Sequence, residues 1–202
     1  MSALEDLPVA GTVVLLRTAA DGFEVLLIRR PARGSFAGAW VFPGGKVEED
    51  DRAPGASEVD DARRAGIRET AEEVGLAVED LVELSQWHPP AEAPTRIRTW
   101  FFLARAPQGE LRISDDEVAE AAWISPGEAL ARQITGEWML FPPTWVTLHQ
   151  LSAFADAGSA LAAAGVARLF ETRVVETPAG RVFRWGDARL ETGVLPWRFV
   201  SG

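Results

Sequence analysis

The sequence predicts an α/β domain in which helices pack on a mixed β-sheet. Segments rich in β-branched and aliphatic residues alternate with segments of helical periodicity. The alternation lacks the regular strand–helix–strand repeat of a wholly parallel sheet, which favours a mixed one. A chain of 202 residues has enough apolar side chains for one core. We expect a main domain over residues 8–138 and a C-terminal extension of helices and a β-hairpin over residues 139–202.

The first predicted elements are strands. Residues 11–18 and 23–30 are rich in aliphatic side chains and flank Asp21-Gly22, which predicts a β-hairpin. Residues 39–42 form a short strand that ends at Pro43-Gly44-Gly45, where the backbone can take conformations that other residues avoid. A polar loop follows.

Residues 58–74 have helical periodicity, and Gly75 is the expected helix stop. The predicted core-facing stripe consists of Ile67, Thr70, Ala71 and Val74. On this interpretation the glutamates of the helix lie on the opposite, outward face. The same outward face then carries the small residues Ala62, Ala65 and Gly66, which would let a bulky group approach the backbone.

The remaining elements follow from strand-like and helical segments. Ser125 is a predicted helix cap, with Pro126 in the first turn and Glu128 completing a capping box. The predicted strands cover residues 95–106 and 120–124. One predicted helix begins at residue 126, and two more cover residues 144–157 and 159–165. The two strands of the predicted terminal hairpin cover residues 169–177 and 181–185.

Composition excludes several kinds of function. The net charge of -10 argues against a protein that follows a nucleic-acid polymer, although a local cation can still attract a small anionic substrate. The absence of cysteine excludes disulfides, thiolate metal sites and cysteine nucleophiles. The first ten residues lack a signal-peptide pattern, and no apolar run reaches membrane-spanning length. We therefore expect a cytoplasmic protein that does not bind a membrane.

The stretch RETAEEVG, residues 68–75, places Glu69, Glu72 and Glu73 within about one helical turn. Like charges at this spacing cost roughly 0.2–0.5 kcal/mol per pair unless a cation lies among them. A solvated helix face is the simpler alternative. Carboxylate and carbonyl oxygens are the ligands that Mg²⁺ or Mn²⁺ prefers, and Arg68 can orient a carboxylate through a charge-assisted hydrogen bond. The pattern favours a divalent-cation site.

These residues resemble the signature of the Nudix hydrolase family, G-x5-E-x7-R-E-U-x-E-E-x-G-U, in which U is a bulky apolar residue. Gly45 matches the opening glycine, and Asp60 stands eight residues before the arginine, where the isolated glutamate belongs. More than five residues separate Gly45 from Asp60, and Thr70 replaces the first U. The second half of the signature is matched by Arg68, Glu69, Glu72, Glu73, Gly75 and Leu76.

The resemblance implies a Nudix-type α/β/α sandwich that hydrolyses a nucleoside diphosphate linked to another group. It implies that Glu69, Glu72 and Glu73 hold Mg²⁺, with Mn²⁺ as a possible substitute, assisted by the carbonyl of Gly44. The reaction also needs a general base. Glu69 is one candidate, and Glu117, which precedes a tryptophan-containing strand as in many Nudix enzymes, is the other.

Residues 25–51 also resemble the coenzyme A diphosphatase branch of the peroxisomal type, which has a long loop inside the signature. The matches are Arg29, Gly38, residues 42–45 and Asp51, and the departures include Leu27, Arg30 and Gly34. A later PPT at 142–144 and GD at 186–187 agree with that branch. This resemblance implies coenzyme A or acyl-coenzyme A as substrate. The alternatives are an ADP-ribose or dinucleotide pyrophosphatase, a nucleoside triphosphate hydrolase, and a Nudix-like binding module without catalysis.

Four further residues are candidate substrate contacts: Arg29, Arg33, Trp40 and Gly45. Guanidinium groups suit phosphates, but arginines at a strand end also serve solubility. The Trp40 ring could stack on a base, while packing is the usual role of tryptophan in a chain with eight of them. The expected partner is a small nucleoside-diphosphate substrate, and the C-terminal extension could cover the pocket or form a homodimer.

Overall fold

The computed structural model describes residues 4–34 and 36–201 of the chain. Within them the chain forms twelve strands and four helices. The strands are β1 Val9–Ala19, β2 Gly22–Arg29, β3 Trp40–Val41, β4 Gly44–Lys46, β5 Val82–His88, β6 Arg98–Arg105, β7 Glu120–Ile124, β8 Arg168–Glu171, β9 Arg173–Thr177, β10 Gly180–Trp185, β11 Ala188–Glu191 and β12 Arg198–Val200. The helices are α1 Glu58–Val74, α2 Pro126–Ile134, α3 Pro142–Leu151 and α4 Ala157–Ala163.

A mixed sheet forms the centre of the fold, in the order β3-β2-β1-β6-β5-β8. β4 also pairs with β1, and β7 pairs with β2. β1 and β2 form the expected antiparallel hairpin, whereas β1 and β6 are parallel. The predicted α/β class with a mixed sheet is therefore confirmed.

Side chains on the two faces of this sheet form two separate cores. Along β1, Val13 faces the layer of α1, and its neighbour Val14 faces the opposite layer. The opposite layer contains α2, α3 and α4, with Trp145 and Leu148 of α3 buried in it. Consecutive strand residues point to opposite faces. Both faces of β1 are covered up to Leu16, so the run Val13–Leu16 is apolar at every position.

α1 has the predicted ends, because local chemistry specifies both of them. The Ser57 side chain caps the first turn by accepting from the Asp60 backbone N–H. Gly75 takes a left-handed conformation with φ 72°, and its N–H donates to the carbonyl of Ala71. The expectation of a helix over 58–74 that stops at Gly75 is confirmed.

The predicted orientation of α1 was partly wrong. Ala71 is exposed, while the small residues Ala62, Ala65 and Gly66 are buried against the sheet. A Cβ atom on Gly11 of β1 would lie 1.8 Å from the carbonyl oxygen of Ala62. The small residues of α1 thus serve close contact between helix and strand backbones. They do not receive a ligand on an outward face.

The C-terminal residues build a second sheet of four strands in the order β12-β11-β10-β9. The predicted terminal hairpin is confirmed for β9 and β10, but the predicted strand over residues 169–177 is divided, because its first residues belong to β8. β8 joins the main sheet as a parallel neighbour of β5. Phe170 of β8 stacks on Trp87 of β5, with ring centroids 4.0 Å apart. The domain boundary at residue 138 and a homodimer surface remain predictions. None of the helices in the described residues is long and apolar enough to span a membrane.

Candidate active site

Glu73 is the most buried carboxylate of the site. It lies in the last turn of α1 and is 0% exposed. Arg30, which follows β2, donates from Nη1 to Glu73 Oε1 at 2.6 Å, and the Gly44 N–H donates to Oε2 at 2.9 Å. Burial raises the pKa of Glu73 to about 7, although the Gly44 N–H and the charge of Arg30 both act to lower it. The protein thus holds a costly buried carboxylate in a defined position.

Two more carboxylates converge on Glu73. One oxygen each from Glu69, Glu73 and Glu117 lie within 4.8 Å of one another. Burial also raises the pKa of Glu69, while Arg68 acts to lower it. A Cβ atom on Gly45 would lie 2.2 Å from the Glu69 carboxyl carbon, so the absence of a side chain at residue 45 makes room for this carboxylate.

The loop that carries Glu117 is attached to two elements of the site. The Ser114 N–H donates to the carbonyl of Glu73 at 3.0 Å, and the Val118 N–H closes the turn on Ser114. The Ala119 N–H donates to the carbonyl of Arg29 at 2.9 Å. These bonds hold the exposed Glu117 beside the end of α1 even though its residue number is more than forty positions away.

Arg68 organises the outer side of the site. Its Nε and Nη2 donate to the two carboxylate oxygens of Asp51 at 3.1 and 2.9 Å, and its Nη1 donates to Glu69 at 3.0 Å and to Glu72 at 2.9 Å. Asp51 is buried, which opposes ionisation, but hydrogen bonds from Arg68 and from the Glu48 N–H outweigh burial and lower the pKa of Asp51.

The assignment of Asp60 to the isolated acidic position of the signature was wrong. Asp60 pairs with Ser57 and Arg63 at the start of α1, whereas Asp51 makes the contact with Arg68. Asp51 follows Gly45 with five intervening residues, which is the spacing of the signature. The additional residues therefore lie between Asp51 and Arg68, in the loop that leads into α1.

Glu72 and Gly44 take places that differ in part from those expected. Glu72 is 54% exposed, pairs with Arg68, and lies outside the group of three converging carboxylates. Gly44 contributes an N–H bond to Glu73, and cation binding by its carbonyl stays a prediction. Arg30 was missed as a site residue, because its contact with Glu73 joins two distant parts of the chain.

The candidate substrate contacts divide into two groups. Arg29 donates to Glu120 at 3.2 Å, and Arg33 donates to the carbonyl of Asp116 at 3.0 Å, so both border the loop that carries Glu117. Trp40 is 3% exposed and stacks on Trp138 with centroids 3.8 Å apart, which agrees with the packing alternative. Contact between Trp40 and a substrate base stays a prediction.

The three converging carboxylates fit a divalent cation. Carboxylate oxygens are the donor atoms that Mg²⁺ and Mn²⁺ favour. Burial, and then the neighbouring carboxylates, raise the pKa of both Glu69 and Glu73, so the hydrogen bonds and charges of the protein do not fully compensate the negative charge of either group. A bound cation of charge +2 would supply that compensation.

The fold and this arrangement of glutamates define the class of protein. Residues 7–142 match the NUDIX domain, and the chain belongs to the NUDIX family. A NUDIX hydrolase of Alicyclobacillus acidocaldarius has a similar structure, with a TM-score of 0.71 and 25% identity, over 80% of this chain and 98% of that one. A MutT NUDIX hydrolase of Burkholderia pseudomallei has a TM-score of 0.55 and 28% identity, over 72% and 98% of the two chains.

Two curated relatives share shorter segments with the chain. NAD-capped RNA hydrolase NudC of Mycobacterium tuberculosis (strain ATCC 25618 / H37Rv) is 37% identical over 71 residues, which cover 35% of this chain and 22% of the relative. CTP pyrophosphohydrolase of Escherichia coli (strain K12) is 33% identical over 84 residues, which cover 35% of this chain and 55% of the relative. The chain therefore spans about a fifth of the first relative and just over half of the second.

We expect the metal-free protein to lose stability as the pH rises through 7. The pKa of Glu73 is about 7 in the folded protein, against an ordinary value of 4.5. Folding thus favours the protonated form, and the associated stability is complete below pH 4.5 and is lost as the pH rises through 7. The loss is on the order of 3 kcal/mol. Urea unfolding between pH 5 and 8 in a chelator measures it.

Comparison with Glu73→Gln isolates this contribution. His88, whose pKa is lowered mainly by burial, acts in the opposite direction over the same range, but it does so equally in both proteins. As the pH rises from 5 to 8, the free energy of unfolding of the wild type should therefore fall relative to that of the variant. A difference that stays constant from pH 5 to 8 would contradict the raised pKa.

Proposed function

We propose that the chain is a divalent-cation-dependent hydrolase that cleaves the phosphoanhydride of a nucleoside diphosphate linked to another group. The observation that carries the proposal is the convergence of Glu69, Glu73 and Glu117 within 4.8 Å, in a chain of the NUDIX family. Hydrolase names among the relatives support the same class of reaction.

Each charged residue has a distinct role in this proposal. Glu69, Glu72 and Glu73 hold Mg²⁺ or Mn²⁺ together with the carbonyl of Gly44. When bound, the cation neutralises charge on the phosphoryl oxygens and lowers the pKa of a water molecule. Arg30 keeps the Glu73 carboxylate in place, since it donates to Oε1.

Arg68 positions two of the proposed ligands at once. It is itself held by both oxygens of the buried Asp51, so its remaining donor has a defined direction toward Glu69 and Glu72. Arg68 is therefore a positioning residue.

Glu117 is the proposed general base, and Glu69 is the alternative. Within the described residues Glu117 forms no ion pair, whereas Glu69 is held by Arg68. The carboxylate of Glu117 is therefore free to accept a proton from the attacking water. The oxygen of that water forms a bond to one phosphorus as the bridging P–O bond breaks, which yields a nucleoside monophosphate and the phosphorylated second group. Arg29 and Arg33, beside the Glu117 loop, are proposed to bind the non-bridging oxygens.

The proposed substrate is coenzyme A or an acyl-coenzyme A, which would yield 3',5'-ADP and (acyl-)4'-phosphopantetheine. Support comes from the partial match over residues 25–51 and from the later PPT and GD residues. The names of the relatives favour a second candidate, a dinucleotide or nucleoside triphosphate substrate. A non-catalytic module is less well supported, because all three signature glutamates are present.

A substrate panel with Mg²⁺ tests this proposal. We expect coenzyme A to give a kcat/KM at least about tenfold above those of ADP-ribose, NAD and CTP, because specific contacts distinguish the group beyond the diphosphate. Product identification by mass spectrometry should show 3',5'-ADP. Faster cleavage of another member of the panel would refute coenzyme A as the substrate, and no cleavage of any would count against the hydrolase itself.

A further inference from the structure

The outward face of the C-terminal sheet carries a row of three arginines. Arg184 of β10 lies directly opposite Arg173 of β9 and Arg189 of β11. The alternate positions Phe183 and Leu190 point to the inner face and pack on the core. Directly opposed side chains lie close together, and like charges at such positions are destabilising. Folding alone therefore does not favour this row.

Two of the three arginines have no charge partner in the described part of the chain. Arg189 donates to Glu191 at 2.9 Å, whereas Arg173 and Arg184 have no carboxylate within 4.0 Å. The chain as a whole has a net charge of -10, but residues 166–200 contain six arginines and four acidic residues. The positive charge is thus a local feature of this face.

Arg173 and Arg184 line a cavity of about 470 Å³, together with Glu171, Val175 and Gly186. This volume falls in the range of small-molecule sites. Two guanidinium groups match the oxygens of a phosphate. Glu171 can accept hydrogen bonds from hydroxyl groups, and the exposed side chain of Val175 offers an apolar surface to the carbon face of a sugar.

The cavity is remote from the carboxylate cluster. In the parallel ladder of β5 and β8 the backbone of Glu171 lies opposite that of His88, at the end of β5. Two residues earlier on β5, the Gln86 side chain donates to Glu58 in the first turn of α1. Glu73 lies fifteen residues further along the same helix, which corresponds to about 22 Å. The Glu171 side of the cavity is therefore nearer to the start of α1 than to its end, where the proposed metal ligands lie.

We propose that this cavity is a second ligand site, which binds a small phosphate ester that carries hydroxyl groups, such as a ribose phosphate. The arginines bind the phosphate and Glu171 binds the hydroxyls. The overall negative charge disfavours a nucleic-acid polymer as the ligand. The proposal is independent of the proposed hydrolase function, because it uses none of the same residues.

Isothermal titration calorimetry of the full chain in a chelator tests the site, with ribose 5-phosphate and inorganic phosphate as probes at constant ionic strength. We expect ribose 5-phosphate to bind more tightly than inorganic phosphate. The double variant Arg173→Gln/Arg184→Gln should weaken both by at least about tenfold. Glu171→Gln should reduce the preference for the sugar phosphate without weakening inorganic phosphate.

Two control variants distinguish the cavity from other parts of the molecule. Arg181 lies on the same strand as Arg184 but pairs with Glu176. The variant Arg181→Gln should therefore bind both probes as the wild type does. Glu73→Gln should also retain binding.

The double variant should unfold at an equal or higher temperature than wild type without ligand, since repulsion between the arginines is relieved. Unchanged binding by the double variant, loss of binding by Glu73→Gln, or tighter binding of a single-stranded RNA oligonucleotide than of ribose 5-phosphate would each overturn the proposal.

Discussion

Replacing Glu73 with glutamine is expected to lower kcat by about 10³-fold or more, with the fold preserved. The amide has nearly the same shape as the carboxylate but cannot neutralise a cation. Its NH₂ group would also face a donor, because Arg30 and the Gly44 N–H both donate to this side chain. Steady-state kinetics over a range of Mg²⁺ concentrations, together with circular dichroism, measure the effect.

The matched control is Glu128→Gln. Glu128 lies on α2, is largely exposed and pairs only with Arg132 among the described contacts of its carboxylate. Its replacement changes the same charge on the surface and should leave kcat unchanged. Wild-type activity in Glu73→Gln would show that the reaction occurs elsewhere in the molecule.

Replacing Gly11 with alanine is expected to destabilise the protein by about 3 kcal/mol or more, an overpacking effect at the upper end of its usual range. The new Cβ would lie 1.8 Å from the carbonyl oxygen of Ala62 and 2.9 Å from the backbone nitrogen of Gly66. Neither atom can rotate away, because both belong to the backbone of α1. Relief requires α1 as a whole to move from the sheet. Urea denaturation measures the loss.

Gly127→Ala is the control for this effect. Gly127 lies in the first turn of α2 and has open space where a Cβ would be placed. Alanine there should leave the free energy of unfolding unchanged or slightly higher, since it reduces the entropy of the unfolded chain. Equal stability of Gly11→Ala and wild type would mean that α1 and β1 are not in direct backbone contact.

Elements with local signals were predictable from the sequence. The ends of α1 follow from a serine cap and a glycine stop, and the hairpin of β1 and β2 follows from a turn between two aliphatic runs. β5 was not predicted, because Glu83, Ser85 and Gln86 interrupt its apolar pattern. This strand exists because it pairs with β6 on one side and β8 on the other, and neither partner is adjacent to it in sequence.

The candidate site shows the same division. Helical spacing alone brought Glu69 near Glu73, and the resemblance added Glu117. The sequence pattern matched Asp51 but did not assign it to Arg68, and it gave Arg30 no role. Both contacts were identified only in the folded chain, since each residue reaches α1 from a separate segment through a side chain whose direction the sequence does not specify.

The sequence by itself determined the class of fold, the limits of α1 and the acidic character of its last turns, because these depend on residues a few positions apart. Tertiary structure decided which face of α1 is buried. Because Gly11 has no side chain, the helix packs on β1 with the face that contains Ala62 and Gly66. In this orientation Glu73 is buried and Ala71 is exposed, the reverse of what their hydrophobicity would favour. Packing between distant backbones outweighed local periodicity, because a close contact excludes side chains of any kind.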